Sequence, residues 1–181
     1  GGDGAADKIE LSGTDSFALN SATISGVEAL DFVSGPLSAH LSGTQIGGSL
    51  ASGRILSVDG SASADALTVA GSSVDLSNVT FTSWTAGIDT VSISGNGAAA
   101  SNLNGTSFGD AITGGALGDL IRGGGGADTL SGGDGSDQFQ YLDPSEIASG
   151  ETVDGGAGND LLVVGGGLFD FSLVGLTEVN T

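Results

Sequence analysis

Apolar residues recur at every second position in short runs along this chain, and no stretch holds a helical period for ten residues. Ile9 and Leu11 alternate with polar neighbours. The same pattern returns at Ala29–Val33, Ile55–Val58, Leu67–Val69, Val74–Leu76, Val79–Phe81 and Val91–Ile93. The runs are short and β-branched, with Gly, Ser, Asn or Asp between them, which predicts strands joined by turns. SADALTVAG at 63–71 and GIDTVSISG at 87–95 share an Asp-x-apolar-x-apolar core, with Asp89 in the second answering Asp65 in the first. That spacing suits one rung of a parallel β-helix; an antiparallel sandwich is the alternative.

From residue 105 the pattern tightens to nine. The chain reads GTSFGDAIT, GGALGDLIR, GGGGADTLS, GGDGSDQFQ through residue 140, and a fifth copy, GGAGNDLLV, occupies 155–163. Asp110, Asp119, Asp128, Asp137 and Asp160 each precede a large apolar residue by two. The third, fourth and fifth copies match G-G-x-G-x-D-x-U-x throughout, a nonapeptide of calcium-binding parallel β-helices. The first two carry Phe108 and Leu117 at the fourth position. Nine residues are too few for a helical repeat and suffice for a six-residue turn and a three-residue strand. Two nonamers make one coil, so Asp110 is expected beside Asp128 on one edge and Asp119 beside Asp137 on the other. At the strand spacing of about 4.8 Å, two carboxylates repel by about 3–4 kcal/mol at an effective dielectric of about 20. A hard cation between turns relieves this, and glycine-framed carbonyls supply its other oxygens. The segment is therefore expected to fold with Ca²⁺ and to be disordered without it.

Residues 105–140 and 155–163 resemble the repeats-in-toxin (RTX) β-roll, a match over about a quarter of the chain. The resemblance implies Ca²⁺ ions held by the carboxylates of Asp119, Asp128, Asp137 and Asp160, with Asp110 weaker. It implies further oxygens from Gly114, Gly115 and Ala116, from Gly123, Gly124, Gly125 and Gly126, from Gly132, Gly133, Asp134 and Gly135, and from Gly155, Gly156, Ala157 and Gly158. Full coordination at the turns carrying Phe108 and Leu117 does not follow from it. The expected fold is all-β, a right-handed parallel β-helix or β-roll solenoid with Ca²⁺ between turns. The family spans proteases, lipases, toxins, epimerases, adhesins and surface-layer proteins. It implies type I secretion through a far C-terminal signal, which this sequence lacks.

Expected boundaries are a repeat turn and first strand at 1–11, wide rungs at 12–104, nonamers at 105–140, an excursion at 141–154, and a returning turn with the start of a further unit at 155–181. GGDGAADKIEL at the start parallels GGAGNDLLV near the end, pairing Asp7 with Asp160 and Glu28 with Glu178. This reads as a unit of about 150 residues in a tandem array, or as a generic solenoid pattern at both ends. Asp7 is a candidate ligand. In the excursion Asp143-Pro144 marks a turn, Ser145-Glu146-Ile147 a single helical turn, and Asp143, Glu146 and Asp154 either a solvated loop or an additional site. Asp65 and Asp89 read as turn residues capping their own backbone, or else as cation ligands.

Charge and composition then narrow the function. Among 181 residues, 3 Lys and Arg face 22 Asp and Glu, a net charge of −19. No basic face exists to bind nucleic-acid phosphates. No apolar run reaches the roughly 18 residues that a membrane crossing needs. There are no cysteines, so a long extracellular chain needs other stabilisation, and metal ions are the candidate. With no methionine and no signal peptide, the sequence reads as a piece of a longer chain. Zinc needs several His or Cys, and His40 is the only histidine. A Ser-His-Asp arrangement would have to use it, flanked by Ser38 and Ser42 on what reads as a surface turn. Trp84 in FTSWTAG reads as a core or edge aromatic, with a sugar platform as the alternative. The GGGG at 123–126 lacks the Lys of a phosphate-binding loop. No catalytic residues are expected. The first reading is a non-catalytic, Ca²⁺-binding structural segment of a large secreted bacterial cell-surface protein, an S-layer protein or giant adhesin. Its partners would be neighbouring copies or adjacent repeats, with cell-surface polysaccharide a further candidate. The second is an accessory module of a secreted protease, lipase or polysaccharide epimerase. A third, recognition by a flat Thr-rich face, finds TFTSWT too short.

Overall fold

A computed structural model describes residues 7–13, 15–22, 24, 27–47, 55, 57–167 and 175–179. The turn expected at 1–6 and the stretch 168–174 lie outside these. In chain order the strands of the first rungs are β1 (Lys8–Ser12), β2 (Ser16–Ala18), β3 (Ala29–Ser34), β4 (Ser38–Ser42), β5 (Ser57–Asp59) and β6 (Ala66–Ala70). Then come β7 (Ser73–Asp75), β8 (Thr80–Thr82), β9 (Thr90–Ser94), β10 (Asn102–Asn104), β11 (Asp110–Gly115) and β12 (Leu120–Arg122). The last are β13 (Thr129–Gly135), β14 (Gln138–Tyr141), β15 (Thr152–Gly158), β16 (Leu161–Val164) and β17 (Gly175–Thr177). Among the described residues there is no α-helix, only a 3₁₀ turn at Pro144–Glu146.

Every strand ladder among the described residues is parallel, which disposes of the antiparallel sandwich. One sheet runs the whole length in the order β2-β4-β6-β9-β11-β13-β15-β17. A second, β1-β3-β5-β8, serves the early rungs, and a third, β7-β10-β12-β14-β16, the later ones. The molecule is a parallel β-solenoid. Along the long sheet Ser16 lies opposite Ser38 and Ser38 opposite Ala66, so the first rungs are wide and unequal in length. Ala66 lies opposite Thr90, which stacks the two matching Asp-x-apolar-x-apolar motifs one rung apart. From Ala111 to Thr129 the rung has narrowed to two nonamers. It widens again where Thr129 meets Thr152 and Thr152 meets Gly175.

The narrowing has a simple origin in the inward-facing rows. Strands β3, β6 and β9 each bury two apolar side chains, Leu30 and Phe32, Leu67 and Val69, Val91 and Ile93. At β11 the register sets Ile112 opposite Ile93 but Asp110 opposite Val91. An acid thus takes an inward position that was apolar one rung earlier. Beyond it each strand buries one apolar residue of the nonamer pattern, Ile112, Ile121, Leu130 or Phe139. Each contributes about 1.5–3 kcal/mol.

β2 and β4 are among the strands that escape the alternation signal. β2 and β4 have Ser, Ala and His where a hydrophobic pattern is sought, yet β4 buries Ala39 and Leu41. His40 therefore sits in a strand rather than a surface turn, with Nε2 2.9 Å from the hydroxyl of Ser16. Trp84 is buried, its ring edge-on to Phe32 at 6.0 Å and Phe81 at 5.1 Å. It is a core aromatic and offers no stacking face.

Candidate metal centre

A single contact recurs up the solenoid. The Oδ1 of an acid at the start of a strand accepts the backbone amide of the residue stacked below it in the preceding rung. Asp89 takes the amide of Asp65 at 2.8 Å, and Asp65 that of Leu37 at 3.2 Å. Asp128 takes that of Asp110 at 2.9 Å. On the opposite edge Asp119 takes Ser101 at 2.5 Å, Asp137 takes Asp119 at 2.7 Å and Asp160 takes Asp137 at 2.9 Å. The stacking expected from the nonamer spacing is present on both edges.

The second oxygen separates the acids into two classes. In Asp65, Asp89 and Asp110 the Oδ2 accepts the amide four residues earlier, from Ser61, Thr85 and Thr106, each at 2.6 Å. The Thr106 hydroxyl adds a bond to Asp110 at 3.1 Å. These carboxylates cap their own turns and are satisfied. In Asp119, Asp128, Asp137 and Asp160 the Oδ2 is buried and has no hydrogen-bond partner. The residue four earlier is then Gly115, Gly124, Gly133 or Gly156, at φ of 155°, 100°, 101° and 82°. Glycine alone adopts such angles readily, and no amide of these turns reaches the carboxylate.

In Asp119, Asp137 and Asp160 the orphaned oxygen faces the first glycine of its own turn and a carbonyl of the next. A Cβ on Gly114 would lie 2.4 Å from Asp119 Oδ2 and 2.5 Å from the Gly132 carbonyl. On Gly132 it would lie 2.2 Å from Asp137 Oδ2 and 2.5 Å from the Gly155 carbonyl, and on Gly155 2.1 Å from the Glu178 carbonyl and 2.6 Å from Asp160 Oδ2. Each carboxylate oxygen is therefore within about 5 Å of a carbonyl oxygen, the span that two ligands of one Ca²⁺ cover at about 2.3–2.6 Å each. A buried charge without a partner is costly, so these residues fit a hard cation. Among the described residues no three His, Cys, Asp or Glu side chains converge; backbone oxygens would complete the coordination.

The remaining expected site residues fall as follows. Asp134 is exposed, as are Ala116 and Ala157, which leaves them carbonyls to offer. Leu117 points outward, while Phe108 turns its ring onto Phe81 at 5.8 Å. The amide of Asp7 donates to Glu28 Oε2 at 3.0 Å. Asp7 precedes β1 as Asp160 precedes β16, but Glu28 precedes β3 whereas Glu178 follows β17. Asp143 and Glu146 accept amides of their own turn, Ser145 at 2.9 Å and Leu142 at 2.7 Å, and Asp154 is an exposed residue of β15. The three do not form one site. Sequence reasoning passed over Glu151. It is buried, stacks in the position of Asp128 one rung on, accepts the Tyr141 hydroxyl at 2.5 Å on Oε1, and leaves Oε2 without a partner.

Burial dominates the electrostatics. It lifts Asp110 to about 7 and Asp128 to about 9, and raises Asp137 and Glu151 as well. Folded values above the unfolded carboxylate value near ~4 mean that the folded chain holds protons the unfolded chain releases. Without metal, stability should be fullest below about pH 4 and fall as pH rises toward about 7 for Asp110 and about 9 for Asp128. Thermal melts in chelator should show a higher Tm at about pH 5 than at about pH 8, and saturating calcium should abolish the decline. A flat profile in chelator would contradict this.

Comparisons with protein families, with characterised proteins and with solved structures find no match to this chain. No helix among the described residues is long and apolar enough to cross a membrane.

Proposed function

We propose that this chain is a calcium-dependent structural segment of a large secreted bacterial surface protein, an S-layer protein or adhesin, built on repeats of the RTX kind. One observation carries the reading: four buried carboxylate oxygens without partners, on Asp119, Asp128, Asp137 and Asp160, all at glycine-framed turns. The three other strand-opening aspartates, whose turns carry Ser61, Thr85 or Thr106 in place of the second glycine, are satisfied by protein. The metal is calcium because the ligand set is oxygen only and largely backbone. Magnesium demands near-ideal octahedral geometry at about 2.0–2.1 Å and keeps its waters. The carboxylates of the four aspartates and the carbonyls of the turns at 114–116, 123–126, 132–135 and 155–158 would hold the ions. When bound, calcium supplies the positive charge that lets stacked acids pack in a core.

The role is mechanical rather than catalytic: an ion-set rod between neighbouring segments of the same protein. A chain without cysteines and with a net charge of −19 suits a calcium-rich exterior. Calorimetric titration of the full chain should give one calcium ion per orphaned aspartate, with one fewer in Asp160→Ala and no change in Asp110→Asn. Absence of calcium binding would overturn the reading. Antibody raised to the chain should label intact cells of the source bacterium; labelling only after permeabilisation would remove the surface assignment.

A further inference from the structure

We infer that Glu151 completes a two-carboxylate cation site with Asp128, closed by Tyr141, where the 142–150 excursion rejoins the solenoid. The inference rests on the calcium reading above and adds a ligand that no nonamer supplies. Residues 146–154, EIASGETVD, lack the glycine frame, so nothing in the repeat pattern marks Glu151.

The geometry of the Gly123–Asp128 turn differs from that of its three counterparts. At Gly114, Gly132 and Gly155 a Cβ would meet both the orphaned Oδ2 and a carbonyl of the next turn. At Gly123 the three nearest atoms, at 1.9, 2.6 and 3.1 Å, all belong to Asp128. The next turn on this edge is the excursion, where Tyr141 takes the place of the first glycine. It offers Glu151. Thr129 lies opposite Thr152, and the Thr152 amide donates to the Asp128 carbonyl at 2.8 Å, which stacks Glu151 on Asp128. Both side chains are almost wholly buried, 0% and 1% exposed, and each keeps one oxygen without a partner, Asp128 Oδ2 and Glu151 Oε2. Burial is what chiefly lifts the Asp128 carboxyl, and the charge of Glu151 adds to it. The other Glu151 oxygen is held by the Tyr141 hydroxyl at 2.5 Å.

Two stacked, buried carboxylates with two unused oxygens are a site for a divalent or trivalent hard cation. With two full negative charges where its counterparts have one charge and a carbonyl, it should be the tightest of the four. Its occupancy also requires the excursion to be docked, because Tyr141 and Glu151 stand at the two ends of it.

The test uses the full chain, calcium, and terbium as a luminescent hard-cation probe. Tyr141 is the only tyrosine and would stand beside the ion. Terbium should show emission sensitised by Tyr141 in its tightest phase. Glu151→Gln should lower the calcium count by one and cut that emission. Tyr141→Phe should cut the emission while leaving the calcium count intact. Asp160→Asn, on the opposite edge, should lower the count by one and keep the emission. An unchanged count and emission in Glu151→Gln would overturn the site while leaving the calcium reading standing. Absence of calcium and terbium binding in the unaltered chain would overturn the calcium reading itself. Should Glu151→Gln fail to fold, Tyr141→Phe decides: undiminished emission there overturns the site.

Discussion

Chelation of calcium should speed hydrogen exchange at the amides of 105–164 far more than at those of β3, β4, β6 and β9. The asymmetry comes from what each half of the solenoid buries. Strands β3, β4, β6 and β9 carry two inward apolar residues each, and the stacked acids Asp65 and Asp89 have both oxygens bonded. The nonamer strands carry one inward apolar residue from the pattern and four carboxylate oxygens with no partner. Leaving a buried polar group unpaired costs about 1–3 kcal/mol, and more when it is charged. Four such groups approach the whole stability of a typical domain, about 5–15 kcal/mol. Each ion would return about 2.7 kcal/mol at a concentration of about 100 times its Kd, so four ions at the proposed sites would supply much of the stability of these rungs. Mass spectrometry of exchange, in chelator and in millimolar calcium, reads the two halves separately. Uniform exchange in both conditions would contradict this account.

How much of this was legible beforehand follows from where the information sits. Spacing is a property of the sequence, so the stacking of Asp110 on Asp128 and Asp119 on Asp137 could be read from a period of nine, and that of Ala66 on Thr90 from a shared motif. Saturation of a carboxylate is a property of a turn's path. Thr106 in place of glycine brings an amide and a hydroxyl onto Asp110. That residue, rather than Phe108, is what satisfies Asp110 within the protein, and the second position of the nonamer was its signal. Glu151 was hidden for a different reason: the excursion stretches its rung beyond two nonamers, so an acid in phase with the ladder is out of phase with the repeat. β2 and β4 were hidden because pairing with a neighbouring strand can template a run too polar to declare itself.

The two classes of acid should answer the same substitution with opposite signs. In Asp137→Asn the oxygen that accepts the Asp119 amide at 2.7 Å can remain, and the new amide nitrogen replaces the orphaned Oδ2. That nitrogen faces the Gly155 carbonyl across Gly132. A buried charge disappears and a donor meets an acceptor, so in chelator the variant should be more stable than the parent chain, by about 1–3 kcal/mol. In saturating calcium the order reverses, because one carboxylate ligand and its ion are lost. Asp65→Asn has no such escape. Both of its oxygens accept amides, from Leu37 at 3.2 Å and Ser61 at 2.6 Å, so one of those donors must confront the new NH₂. It should lose about 1–3 kcal/mol with or without calcium, a fall in Tm of about 2–12 °C for a chain of this size. Paired melts of the two variants in chelator and in calcium give four differences from the parent. Destabilisation of Asp137→Asn in chelator would mean that its Oδ2 already has a partner in the protein, and the cation would then have no vacancy to fill.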